Sequence, residues 1–246
     1  MLLFLPGLIC DARVFAPQLA AFADSRAVEG YGLADSLPAM AQIALDQAPD
    51  TFDLFGHSMG GRIALEVYSL APHRVRRLAL SSTGVHSLGT AEPAKRAALK
   101  AIGHEQGFEA LVDAWLPPMV GEPNRTNEAL YRPMRQMCLD QNQAIFDAQI
   151  GALLGRPEQQ SLLPQIGCPT LVMTGELDAW SPPAQHEAIA AAIPNSTLVI
   201  VEGAGHMLPL EAPESVNEAI AAWLAQEAPA PARDRSVSTA LGEAST

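Results

Sequence analysis

The sequence predicts an α/β fold in which a mostly parallel sheet is flanked by helices, with a helical cap inserted between two sheet strands. Three observations lead there. Short apolar runs alternate with segments of helical period at both ends of the chain. The alternation lapses between residues 85 and 164. One apolar run ends in Gly56-His57-Ser58-Met59-Gly60, just where a helix begins. At 246 residues, 48% of them apolar, the chain can bury a full core yet is close to the size at which single cores stop growing, so one catalytic-size domain is expected.

Residues 2–5, Leu-Leu-Phe-Leu, form an apolar run closed by Pro6-Gly7, and residues 14–22 then carry apolar side chains at helical spacing. Residues 26–30 are a weak strand candidate, 37–48 a helix, and 52–55 a buried strand leading into the serine motif. The helix over 60–70 is stopped by Ala71-Pro72. Residues 75–80, 170–174 and 197–201 repeat the strand pattern, with helices over 183–192 and 214–225. The core is therefore expected in residues 1–84 and 165–227. Residues 85–164 carry helical stretches separated by Pro117-Pro118, Gly121, Pro123 and Gly155-Arg156-Pro157. Their apolar side chains, among them Trp115, Leu116, Met119, Met134 and Phe146, exceed what the insertion can cover alone, so some are expected to pack over the sheet as a cap. Residues 228–246, rich in Ala, Pro, Ser, Thr and charge with no apolar period, read as a disordered tail.

Charge and cysteine content narrow the partners. A formal charge of -12, from 27 acidic against 15 basic residues, repels phosphate backbones and anionic membrane surfaces, so neither nucleic acid nor membrane is expected. Cys10, Cys138 and Cys168 are too few and too scattered for a disulfide framework or a zinc site, and suggest a reducing, cytoplasmic setting. Leu8-Ile9-Cys10 resembles a lipoprotein cleavage site, but no Lys or Arg precedes the apolar run and bulky Ile9 sits where a small residue is wanted. A buried strand is the better reading. No apolar stretch reaches the length of a membrane span.

Ser58 is the candidate nucleophile. Its motif follows an apolar strand and opens a helix, the sharp turn that lifts a hydroxyl clear of a sheet, and Gly56 and Gly60 remove side chains that would collide there. Serine needs a base within hydrogen-bond reach. His206 fits, in the loop leaving the strand over 197–201, because strand C-termini of a parallel sheet share one edge. His57 is expected to be structural, and His73, His86, His104 and His186 solvated. The third group must be a carboxylate orienting that imidazole, and Asp178 lies in the loop after the preceding strand, with Glu176 its rival. The oxyanion donors are expected to be the backbone amides of Met59 and Leu8. Ile9, Trp115, Met119, Trp180, Met207 and Leu208 are candidate pocket residues, and Arg132 and Arg135 candidates for a substrate carboxylate.

Together these residues resemble the α/β-hydrolase superfamily, from the first strand to about Leu224. Gly175-Glu176-Leu177-Asp178, Gly205-His206 and Pro213-Glu214 are similar to the acid and base blocks of its small single-domain esterases, and residues 85–164 to their helical cap. Two departures stand out: Pro6-Gly7 replaces the usual His-Gly, and the N-terminal hairpin looks absent. The resemblance implies a small-molecule ester, thioester or lactone as substrate, an acyl-enzyme on Ser58, and no metal or organic cofactor; a monomer or homodimer is expected. It leaves open a carbon-carbon hydrolase, a lyase, a cofactor-free haloperoxidase or a small-molecule receptor. Serine at position 58 argues against haloalkane dehalogenases and epoxide hydrolases, which use Asp there.

Overall fold

A computed structural model describes residues 1–228; apart from residue 228, the expected tail lies outside the described residues. The chain opens with β1 (Leu2–Leu5), a 3₁₀ turn, α1 (Ala16–Ala21), β2 (Ser25–Ala27), α2 (Leu37–Gln47), β3 (Phe52–His57), α3 (Met59–Leu70) and β4 (Val75–Ser81). Four helices follow without a strand between them: α4 (Glu92–Gln106), α5 (Phe108–Trp115), α6 (Glu128–Leu139) and α7 (Gln143–Leu154). The chain then returns through β5 (Thr170–Gly175), α8 (Pro183–Ala192), β6 (Ser196–Val201), α9 (Leu208–Glu211) and α10 (Pro213–Leu224).

The six strands form one sheet in the order β2-β1-β3-β4-β5-β6, and every pairing is parallel. The central strands are apolar because both faces are covered: every residue of β1, β3 and β5 is buried. The edge strands β2 and β6 are partly exposed. Phe4, Phe15 and Phe55 pack ring against ring, with centroids 4.7 Å apart for the Phe4–Phe15 pair, and join the first strand to the third.

Topology places the functional edge. From β1 the chain crosses to one side, to β2; from β3 it crosses to the other, to β4. The order reverses between β1 and β3, and the crevice outside their C-terminal ends is where open α/β sheets take ligands. The loop after β1 and the turn at Ser58 both open there.

The helices α4–α7 pack onto this edge. Trp115, Met119, Met134 and Phe146 are buried and join the apolar cluster that contains the sheet residues. A cap residue starts α7 in the ordinary way: the Asn142 side chain accepts the Ile145 N–H at 3.0 Å. Among the described residues no helix is long and apolar enough to cross a membrane.

Candidate active site

Ser58 stands at φ 58°, ψ -119°, a left-handed backbone that a non-glycine residue adopts only when its surroundings enforce it. They do so at four points. The Ser58 N–H donates to Ser81 O at 2.8 Å, and the Thr83 hydroxyl donates to Ser58 O at 2.7 Å. A Cβ on Gly60 would run into the Leu5 carbonyl, and one on Gly56 into Gly60 O, so the turn closes only with glycine at both positions.

The Ser58 hydroxyl lies 2.8 Å from His206 Nε2, and His206 Nδ1 lies 2.8 Å from Asp178 Oδ2. Asp178 is buried, and its Oδ1 accepts the Trp180 and Ser181 amides at 2.9 and 2.8 Å. Burial pushes this carboxyl up, but the facing His206 and the two amides outweigh it and hold the pKa at about 2. An ionised Asp178 fixes the proton on Nδ1 and leaves Nε2 free to accept from Ser58. Glu176 turns outward and accepts the Gly203 N–H at 3.1 Å.

The loop after β1 lies against the serine. A Cβ at Gly7 would stand 3.0 Å from Ser58 Cβ. Among the described residues neither the Leu8 nor the Met59 amide donates to a protein acceptor. Ile9, at φ 47°, is a β-branched residue in the left-handed region, and its N–H donates to Gln149 Oε1 at 2.7 Å.

A cleft of about 490 Å³ opens over Ser58 and His206. Of the candidate pocket residues Trp115, Met119 and Trp180 line it, as do Leu8 and Met59. Ile9, Met207 and Leu208 do not: all three are buried in the core, because residues adjacent in a turn point in different directions. Arg132 is exposed and Arg135 is occupied by Asp113 and Glu109, so neither faces the cleft. The cations that line it are Arg62, Lys95, Arg96 and Arg156.

The profile of the alpha/beta hydrolase family matches residues 2–219. The chain belongs to the alpha/beta hydrolase family. Two curated proteins of related sequence are a Pseudomonas putida dihydrolipoyllysine-residue acetyltransferase component of an acetoin cleaving system and an Acinetobacter baylyi hydrolase of (E)-2-((N-methylformamido)methylene)succinate. The first is 30% identical over 89% of this chain, and the chain spans 58% of that longer protein. The second is 28% identical over 91% of this chain and 89% of its own. Among solved structures, a thermophilic esterase from Thermogutta terrifontis superposes with a TM-score of 0.82 at 28% identity, covering 91% of this chain and 88% of its own.

Three supports of this site escape sequence reasoning. Glu211 accepts the Gly121, Gly205 and Met207 amides and the Asn124 side chain at 2.8 to 3.1 Å, joining the insertion to the His206 loop. Met119 O accepts the His206 and Met207 amides at 2.9 and 3.2 Å. His186 is buried rather than solvated: its Nε2 accepts the Thr83 N–H at 3.0 Å, behind the residue that straps Ser58. His57 is buried beside His206, at 5.4 Å between ring centroids. Burial, with the adjacent His206, drops its pKa to about 3 and keeps it neutral.

Proposed function

We propose that this hydrolase cleaves a small or medium carboxylic ester, thioester or lactone through an acyl-enzyme on Ser58. The observation that carries the reading is the unbroken relay from Ser58 through His206 to Asp178, with 2.8 Å at each step. Ser58 Oγ attacks the carbonyl carbon as its proton passes to His206 Nε2, and Asp178 stabilises the imidazolium that forms. The carbonyl oxygen takes the negative charge and is met by the Leu8 and Met59 amides. Met59 begins α3, so its N–H also lies at the positive end of that helix.

Collapse of the tetrahedral intermediate expels the alcohol or thiol, which takes the proton from His206. Water, deprotonated by the same nitrogen, then attacks the acyl-enzyme and releases the acid and free Ser58. The largely apolar walls from Leu8, Met59, Trp115 and Met119 favour a compact acyl group. Relatives named as an esterase and as a hydrolase support hydrolysis over a binding role.

Steady-state hydrolysis of p-nitrophenyl esters by wild type, Ser58→Ala and His206→Ala tests the reading. Each variant is expected to lose on the order of 10⁴-fold or more in kcat while keeping its fold. Near wild-type activity in either folded variant refutes the assignment.

A further inference from the structure

The cleft is positively charged in a protein whose formal charge is -12. Arg156 is nearly sealed, with a side chain 1% exposed, and pairs in a fork with Glu92 through Nη1 at 2.9 Å and Nη2 at 2.6 Å. Arg96 shares the same carboxylate at 3.2 Å, its guanidinium 5.7 Å from the centre of the Trp180 ring. Glu92 is the only acidic side chain lining the cleft among the described residues. It is therefore already used twice.

Arg62 is left over. It is 6% exposed, sits four residues after Ser58 on α3, and lines the same cleft. Its Nη1 donates to His86 O at 3.3 Å. Among the described residues its Nε and Nη2 have no partner, and no carboxylate reaches it within ion-pair distance. Burial, then repulsion from Arg156, brings its pKa down to about 9 against an opposing pull from Glu92, so its charge is only partly compensated. A group with this placement is stabilised by any ligand that brings a negative charge to it.

We propose that the substrate carries a carboxylate and that Arg62 binds it, so that the preferred substrate is the half-ester of a short dicarboxylic acid or a lactone bearing a carboxylate. The proposal rests on the reading of Ser58 as nucleophile. Ser58 precedes α3 at φ 58° and Arg62 lies within the first four residues of that helix, and both line one cleft, so a carboxylate on Arg62 and a carbonyl at Ser58 fit within one small molecule. A single guanidinium with two unpartnered nitrogens matches one planar carboxylate.

The test compares monomethyl glutarate with dimethyl glutarate for wild type, Arg62→Gln and Arg62→Lys, after confirming that each is folded by thermal melting. Wild type is expected to favour the half-ester in kcat/KM by about tenfold or more, the worth of a charge-assisted pair. Arg62→Gln should erase that ratio and Arg62→Lys restore part of it. A wild-type preference for the diester, or a ratio that stays within about twofold in Arg62→Gln, overturns the proposal.

Calorimetric titration of Ser58→Ala with glutarate separates this from the nucleophile question. If wild type hydrolyses neither ester and fluorophosphonate leaves Ser58 unlabelled, glutarate binding that weakens about tenfold on adding Arg62→Gln still supports the carboxylate site. Absence of glutarate binding at millimolar concentration refutes it. If Arg62→Gln does not fold, the wild-type ester ratio, the glutarate titration and Arg62→Lys decide the matter in the same way.

Discussion

The side-chain carbonyl of Gln149, on α7, accepts the Ile9 N–H at 2.7 Å, so a helix of the insertion holds the turn that follows the first strand. Ile9 has a strained positive φ of 47°, and the residue before it is Leu8, the proposed oxyanion donor. Gln149→Leu removes the acceptor and leaves a buried N–H unpaired. It is expected to lower stability by about 1–3 kcal/mol. Ester turnover should show a drop in kcat of about tenfold with little change in KM, because a displaced oxyanion donor acts on the transition state. Equal changes in both constants, or no change, would show that the bond does not position Leu8.

Glu211 gathers four donors from the insertion and the histidine loop. Glu211→Ala is expected to cost about 2–3 kcal/mol in urea unfolding, since several part-buried amides lose their acceptor together. Glu211→Gln, which keeps one acceptor oxygen, should lose less. A neutral Glu211→Ala would mean that water replaces the carboxylate without cost.

The turn at Ser58 depends on close backbone approach. Gly60→Ala places a Cβ against the Leu5 carbonyl and is expected to destabilise by about 3 kcal/mol or more, or to prevent folding. Gly167→Ala, where a Cβ meets nothing within 4 Å, should stay within about 0.5 kcal/mol. Chemical denaturation of the two variants side by side checks both.

Acid should weaken the fold through His57. Its folded pKa is held at about 3 against an ordinary 6.5, so between those values the unfolded chain binds a proton that the folded chain refuses. This contribution to stability is complete above pH 6.5 and is lost as the pH falls towards 3. His186, pushed down chiefly by burial, acts in the same direction. Urea unfolding of His57→Gln between about pH 6 and pH 4 should show a slope shallower than wild type by about 1.4 kcal/mol per pH unit. Parallel slopes would contradict the assignment of a neutral buried His57.

The parts legible in the sequence are those that one short segment specifies by itself. The parallel α/β sheet, the turn at Gly56-His57-Ser58-Met59-Gly60, and the loops bearing Asp178 and His206 each follow a strand, and a parallel sheet brings strand ends to one edge. The structure brings Ser58, His206 and Asp178 within bonding reach on that edge. The cationic lining was not legible, because Arg62, Arg96 and Arg156 come from α3, α4 and the segment after α7 and meet only on folding. Arg135 looked available in the sequence only because its partners, Asp113 and Glu109, lie a helix away. Burial of Ile9, Met207 and Leu208 could not be read from adjacency to the site, since the backbone of a tight turn decides where each side chain goes.

The most direct test of the central claim is labelling with a fluorophosphonate probe, with the modified peptide located by mass spectrometry. Folded wild type is predicted to carry the label on Ser58 and Ser58→Ala to carry none. Failure of folded wild type to react, or label that persists in Ser58→Ala, would contradict Ser58 as the activated nucleophile.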